Sequence, residues 1–143
     1  MKIFVDADAC PVKEIITGEA RKRNIEVVMV CDTSHIINDG YSRTITVDKS
    51  ANSADIVLIN MVKEKDIVVT QDFGVAAMAL SKNAFAVNQN GLIYDNENMD
   101  RLLFERFLSA KSRKIGKRTK NTGKRTASDN ESFRKSFLEL LER

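Results

Sequence analysis

Short apolar runs rich in β-branched residues recur along the chain, separated by segments whose apolar residues fall at helical spacing. Ile3, Phe4 and Val5 lie in KIFVD, and IEVVMV follows at residues 25–30. Between them, PVKEIITGEARKR places Val12, Ile15, Ile16 and Ala20 at i, i+3, i+4 and i+8, on one face of a helix. This is the pattern of a βαβ unit. Further on, RTITVD predicts a strand, NSADIVLINMVKE a helix, DIVVT a strand, FGVAAMALSK a helix and AFAV a short strand. Such alternation predicts an α/β fold, a three-layer α/β/α arrangement around a mainly parallel sheet, with Lys2–Val5 as its central strand.

One connection does not fit that scheme easily. DTSHIINDGYS is barely long enough for a crossover and carries no helical pattern, so the direction of the strand Arg43–Val47 stays open. Asn88–Gly91 reads as a turn into LIY, followed by a long amphipathic helix from about Asn96 to Ser112. KIGKRTKNTGKRTA has no apolar periodicity, and Ser128 with Glu131 forms a capping-box pattern ahead of ESFRKSFLELLE. Phe133, Phe137, Leu140 and Leu141 share one face of that last helix, which therefore needs a surface to dock on. The expected organisation is an α/β domain over residues 1–110, a basic flexible linker over 111–127 and a C-terminal amphipathic helix over 128–143.

Composition adds little: 43% hydrophobic and 30% charged residues are ordinary for a globular chain of 143 residues. No apolar run approaches the roughly 18 residues of a membrane span, and Asp6 interrupts any signal-peptide core, so a cytoplasmic location is expected. Charge is more informative. Residues 1–105 hold 11 Lys and Arg against 16 Asp and Glu, a net of −5, whereas residues 106–143 hold 12 against 4, a net of +8. Lys111, Arg113, Lys114, Lys117, Arg118, Lys120, Lys124 and Arg125 follow one another with no acid between them. With no aromatic among them for base stacking, such a segment is either a solvated tail or a contact for nucleic-acid phosphate without sequence preference.

The chemistry-bearing residues collect where strands end. In a parallel sheet every strand opens its carboxyl end on the same edge, and ligands bind where strand order reverses. Asp6 and Asp8 follow the first strand, Asp72 follows DIVVT, and Asp55 stands in the first turn of the preceding helix. Converging carboxylates raise one another's pKa unless a positive charge sits among them. A hard divalent cation, Mg²⁺ or Mn²⁺, meets that need with oxygen ligands and retained waters. Each residue also has a structural alternative. Asp72 suits a helix N-cap, Asn52 and Asp55 suit the start of their helix, and Asp8 suits an Asx turn before Pro11, the only proline, which itself fits a helix first turn. Asp6 has no such alternative, since the end of a central strand is a costly place for a charge.

Cys10 and Cys31 form no CxxC and share the chain with a single histidine, His35, so neither a disulfide framework nor a zinc site is supported. Both cysteines read as reduced. Cys10 reads as a small apolar filler and His35 as a surface or structural histidine.

DADACPVK, the AD of NSADIV, DIVVTQDFGVAAMAL, NGLIY and the basic stretch before the last helix together resemble the YaiI/YqxD family of uncharacterised bacterial proteins, over nearly the whole chain. That family is placed with PIN-like domains, metal-dependent nucleases that cut RNA with acidic residues on a parallel sheet. The resemblance implies a PIN-like fold with Asp6, Asp8 and Asp72 in the acidic cluster; in a nuclease of that kind Asp6 and Asp72 would bind Mg²⁺ or Mn²⁺ directly, and Asp8 and Asp55 would bind through water or orient it. Asn52 stands where many relatives carry Asp, and Asn88, Gln89 and Asn90 supply no acid at the next strand end. The expected activity is metal-dependent RNA hydrolysis. One alternative is a non-catalytic RNA- or ribosome-binding module. A second is a haloacid-dehalogenase-type phosphatase with Asp6 as nucleophile and Asp8 as acid/base, which lacks a second acidic pair at TQDFG.

Overall fold

The computed structural model describes residues 1–8, 10–32, 39–48, 53–114 and 124–143. Its strands are β1 (Ile3–Asp6), β2 (Val27–Asp32), β3 (Arg43–Val47), β4 (Ile67–Val69) and β5 (Phe85–Val87). They form one sheet in the order β3-β2-β1-β4-β5, every neighbouring pair parallel. The central position of β1 is as the hydrophobic pattern predicts. The direction of β3, left open by the sequence, is parallel to β2, with Val28 beside Arg43 and Asp32 beside Val47.

Side-chain alternation divides the core into two layers, because successive residues of a strand point to opposite faces. Ile3 and Val5 pack on one face with Val12, Ile16 and Ala20 of the segment leading into and through α1 (Lys13–Lys22). Phe4 packs on the other with residues of α2 (Ser53–Met61), α3 (Phe73–Ser81) and α4 (Asn96–Lys114). The three-layer α/β/α fold follows from this division. Pro11 lies in the turn just before α1 rather than inside its first turn. Its missing N–H costs nothing there.

The last helix, α5 (Ala127–Leu141), is part of this fold and not an appendage. Phe133, Phe137 and Leu140 are fully buried beside α1, and the two rings stack at 5.3 Å. Burying each ring is worth about 2–3 kcal/mol relative to exposure. The cap falls earlier than the Ser128–Glu131 pattern suggests. Thr126 Oγ1 accepts from Asp129 N at 3.4 Å, and the Asp129 carboxylate accepts from Thr126 N at 2.9 Å. The helix docks so closely on the 88–91 turn that a Cβ on Gly91, whose φ is +89°, would sit 2.4 Å from the Ser132 carbonyl oxygen.

Two further boundaries differ from expectation. α4 runs on to Lys114, so Lys111, Arg113 and Lys114 are helical rather than part of a linker, as suits a stretch of strong helix formers. Arg125 is tied to the body of the fold. Its guanidinium donates to Gln89 O at 2.6 Å, Asn90 Oδ1 at 2.7 Å and Asn130 Oδ1 at 2.8 Å. Among the described residues, no helix is long and apolar enough to cross a membrane.

Candidate functional site

Strand β2 lies on one side of β1 and β4 on the other, so chain direction around the sheet reverses between β1 and β4. The crevice at this switch point is where open α/β sheets bind ligands. A cavity of about 370 Å³ opens there, lined by Asp6, Asp8, Gln71, Asp72, Phe73 and Arg106. Three of the four carboxylates singled out in the sequence therefore meet in one place. Asp55, in the first turn of α2, does not line the cavity, yet its charge reaches both Asp6 and Asp72.

Asp6 is the unusual member of the group. Its carboxylate receives one hydrogen bond among the described residues, from Thr70 Oγ1 at 3.1 Å. Burial pushes its pKa up from 3.8 to about 6; the Thr70 hydroxyl opposes the rise, and the charges of Asp55, Asp8 and Asp72 add to it. Asp66, at the opposite edge of the sheet, shows what a structural carboxylate looks like here. It accepts the amides of Lys2 at 2.9 Å and Lys63 at 2.8 Å, so its buried charge is met by fixed dipoles.

Asp72 does both jobs considered for it. It caps α3, accepting from Gly74 N at 2.7 Å and Val75 N at 3.2 Å, and the cap uses Oδ1 alone while the residue also lines the cavity. Asp8 accepts the Asp32 amide at 3.2 Å, which ties the loop after β1 to the end of β2. Thr70 links the two sides of the site, since its hydroxyl also accepts the Asp72 amide at 3.0 Å. Asp55 is raised as well, by burial first and by Asp72 second.

Two contributors escaped the sequence reading. Thr70 is one. The other is Arg106, which reaches the cavity from α4 and lies over the Phe73 ring at 5.4 Å. Phe73 meets Tyr94 edge-on at 6.1 Å, so the guanidinium rests on a packed aromatic pair. The only sequence signal for Arg106 is that it is the first cation of the basic segment 106–143.

The donor set suits a hard cation: its polar lining is mainly carboxylate oxygen, with negative charge in excess of the single Arg106. Among the described residues, however, no three His, Cys, Asp or Glu side chains come together tightly enough to form a metal centre. A Mg²⁺ or Mn²⁺ ion at this edge would have to be held partly through water, as Mg²⁺ commonly is, rather than in a closed protein cage. At the end of β4, Asp72 is the single acid of Thr70, Gln71 and Asp72, so the second acidic pair of a dehalogenase-type phosphatase is missing there. At the end of β5, Asn88 holds a turn through the amides of Asn90 and Leu92, both at 2.9 Å. Asn52, His35, Lys117, Arg118 and Lys120 lie outside the described residues. Cys10 is half-buried, and burial pushes its thiol up, consistent with an inert filler.

A parallel α/β sheet with an acidic crevice at its switch point defines the class of protein. The family follows from comparison with known sequences: a family model described as the uncharacterised YaiI/YqxD family matches residues 4–143. The chain belongs to that family. It is 60% identical over 138 residues to a UPF0178 protein of Ruminiclostridium cellulolyticum, covering 96% of this chain and 90% of the relative. A UPF0178 protein of Clostridium kluyveri is 50% identical, covering 99% and 93%, and one of Clostridium acetobutylicum is 46% identical, covering 100% and 98%. No solved structure matches the chain.

Proposed function

We propose that the protein is a PIN-like, metal-dependent ribonuclease that hydrolyses phosphodiester bonds at the carboxyl edge of its sheet. The observation that carries this reading is the meeting of Asp6, Asp8 and Asp72 in one crevice between β1 and β4. Asp6, Asp8 and Asp72 would hold Mg²⁺ or Mn²⁺, with Asp55 behind them adding negative charge. When bound, the cation would supply neutralisation of phosphate charge and activation of water.

The protein's own groups divide the remaining work. Thr70 fixes the orientation of Asp6 by its hydroxyl and that of Asp72 through its amide. Arg106, resting on Phe73, presents a planar fork that matches a phosphate. Lys111 is exposed on the same helix, five residues or about 7–8 Å further along. Five residues are about 140° of turn, so Lys111 stands on the outer face of α4 and not beside the cavity.

The test is cleavage of single-stranded RNA in matched preparations of the wild type, Asp6→Asn and Asp72→Asn, with Mn²⁺ and with Mg²⁺. Asn replaces Asp at an N-cap with little loss and can still accept from Thr70, so both variants should fold. Cleavage should fall by about a hundredfold or more in each. Equal cleavage by variants and wild type, or none by the wild type with either metal, would remove the nuclease. The second outcome leaves the non-catalytic RNA-binding module, the reading that the absence of a closed acidic triad among the described residues favours.

A further inference from the structure

Helix α4 buries Met99 and packs Leu102 against the sheet-facing core, while another side carries Leu103, Phe104, Phe107 and Leu108 at 47%, 61%, 62% and 45% exposure. One exposed leucine needs no explanation, but four large apolar residues within six positions form a contiguous patch. The stripe also has an order of charge. At alternating spacings of three and four, positions 97, 100, 104, 107 and 111 are Glu, Asp, Phe, Phe and Lys. Acid precedes the aromatics, and base follows them.

Reversing the helix exchanges acid for base and leaves the aromatics in place. The surface is therefore complementary to itself when read antiparallel, whereas a parallel pair would oppose Asp100 to Asp100 and Lys111 to Lys111. We propose that α4 pairs with α4 of a second copy of this chain, antiparallel, about a twofold axis passing between Glu105 and Arg106. That axis sets Phe104 against Phe107 of the partner subunit and Asp100 against Lys111 of the partner subunit, with Leu103 and Leu108 flanking the seam on opposite sides. The contact is isologous, so each pairing occurs twice and the assembly closes as a dimer. Arg106 lies two positions from Phe104, a turn of about 200° around the helix, so the pairing leaves it at the acidic cavity. A membrane surface fits the stripe poorly, because acids sit on its own line where a bilayer headgroup region favours bases.

Sedimentation velocity across a concentration series of the full chain tests this. The wild type should dimerise, and the double variant Phe104→Glu/Phe107→Glu should sediment as a monomer with unchanged far-UV circular dichroism, since both positions are exposed. Asp100→Lys alone and Lys111→Asp alone should each weaken association by about tenfold. An equimolar mixture of these two single variants should associate as tightly as the wild type, because the antiparallel pairing then opposes unlike charges at both ends. A wild type that stays monomeric up to about 1 mM would overturn the proposal, as would a dimer indifferent to the Phe substitutions. So would a mixture no tighter than either single variant.

Discussion

Thr70 Oγ1 donates to Asp6 Oδ2 at 3.1 Å across the seam between β1 and β4, and it is the one hydrogen bond that Asp6 receives among the described residues. A single neutral hydroxyl does not replace all the water lost when a carboxylate is half-buried at the end of a central strand. The fold therefore holds Asp6 under strain that a bound cation would relieve.

That strain has a defined pH dependence. The folded state binds the Asp6 proton more tightly than the unfolded chain, with the pKa raised from 3.8 to about 6, so ionisation removes stability as pH rises from about 4 to about 6. Above that window the loss is complete. Asp6→Asn should raise the melting temperature at pH 7.5, corresponding to about 1–2 kcal/mol once solvent in the cavity is allowed for. Its advantage should disappear near pH 4, where wild-type Asp6 carries its own proton. Thermal melts of both proteins at the two pH values check this, and an advantage independent of pH would count against the raised pKa.

Glu19 shows the opposite sign. Its side chain is only 7% exposed and accepts from Arg23 at 2.9 Å, Arg134 at 2.8 Å and Lys22 at 3.3 Å, which ties α5 to α1. The Arg23 hydrogen bond leads the causes that hold its pKa below the usual 4.5. The stabilisation is present above that value and is lost as pH falls through the lowered one. Glu19→Gln should cost about 1–3 kcal/mol in chemical denaturation at pH 7, and the gap should narrow toward pH 3. A constant gap would show that packing, not charge, holds the helices together.

Arg125 and the cations before it separate structure from binding within the basic segment. Arg125→Ala breaks three hydrogen bonds to the body of the fold and should lower stability by about 1–2 kcal/mol with little change in RNA affinity. Replacing Arg113, Lys114, Lys117, Arg118, Lys120 and Lys124 by Ser should do the reverse, weakening RNA binding and flattening its salt dependence. Fluorescence anisotropy with labelled RNA at several salt concentrations, beside denaturation curves, distinguishes the two. Salt-independent binding would exclude a phosphate contact.

The sheet was legible because each strand announces itself locally. Ile3–Val5 and Ile67–Val69 are short β-branched runs, and their carboxyl ends had to share an edge once the alternation with helices made the sheet parallel. Asp6, Asp8 and Asp72 were therefore placed correctly at one edge from their neighbours alone. Arg106 was not, because it enters from a helix 34 residues beyond Asp72, and only tertiary packing on Phe73 brings it to the cavity. Arg125 failed for the same reason. In sequence it is one more cation in a basic run, while in the fold its partners are Gln89 and Asn90, more than thirty positions away. The direction of β3 was hidden because its connection carries no helical pattern, and residues 33–38 of that connection lie outside the described residues.

Isothermal titration of the protein with Mn²⁺ at pH 7.5, beside Asp6→Asn and Asp72→Asn, bears most directly on the claim that this acidic edge is a cation site. The wild type should show saturable binding that is lost or weakened at least tenfold in both variants. It should also weaken at pH 5, where Asp6 is mostly protonated. Absence of binding by the wild type, or equal binding by all three proteins, would contradict the account.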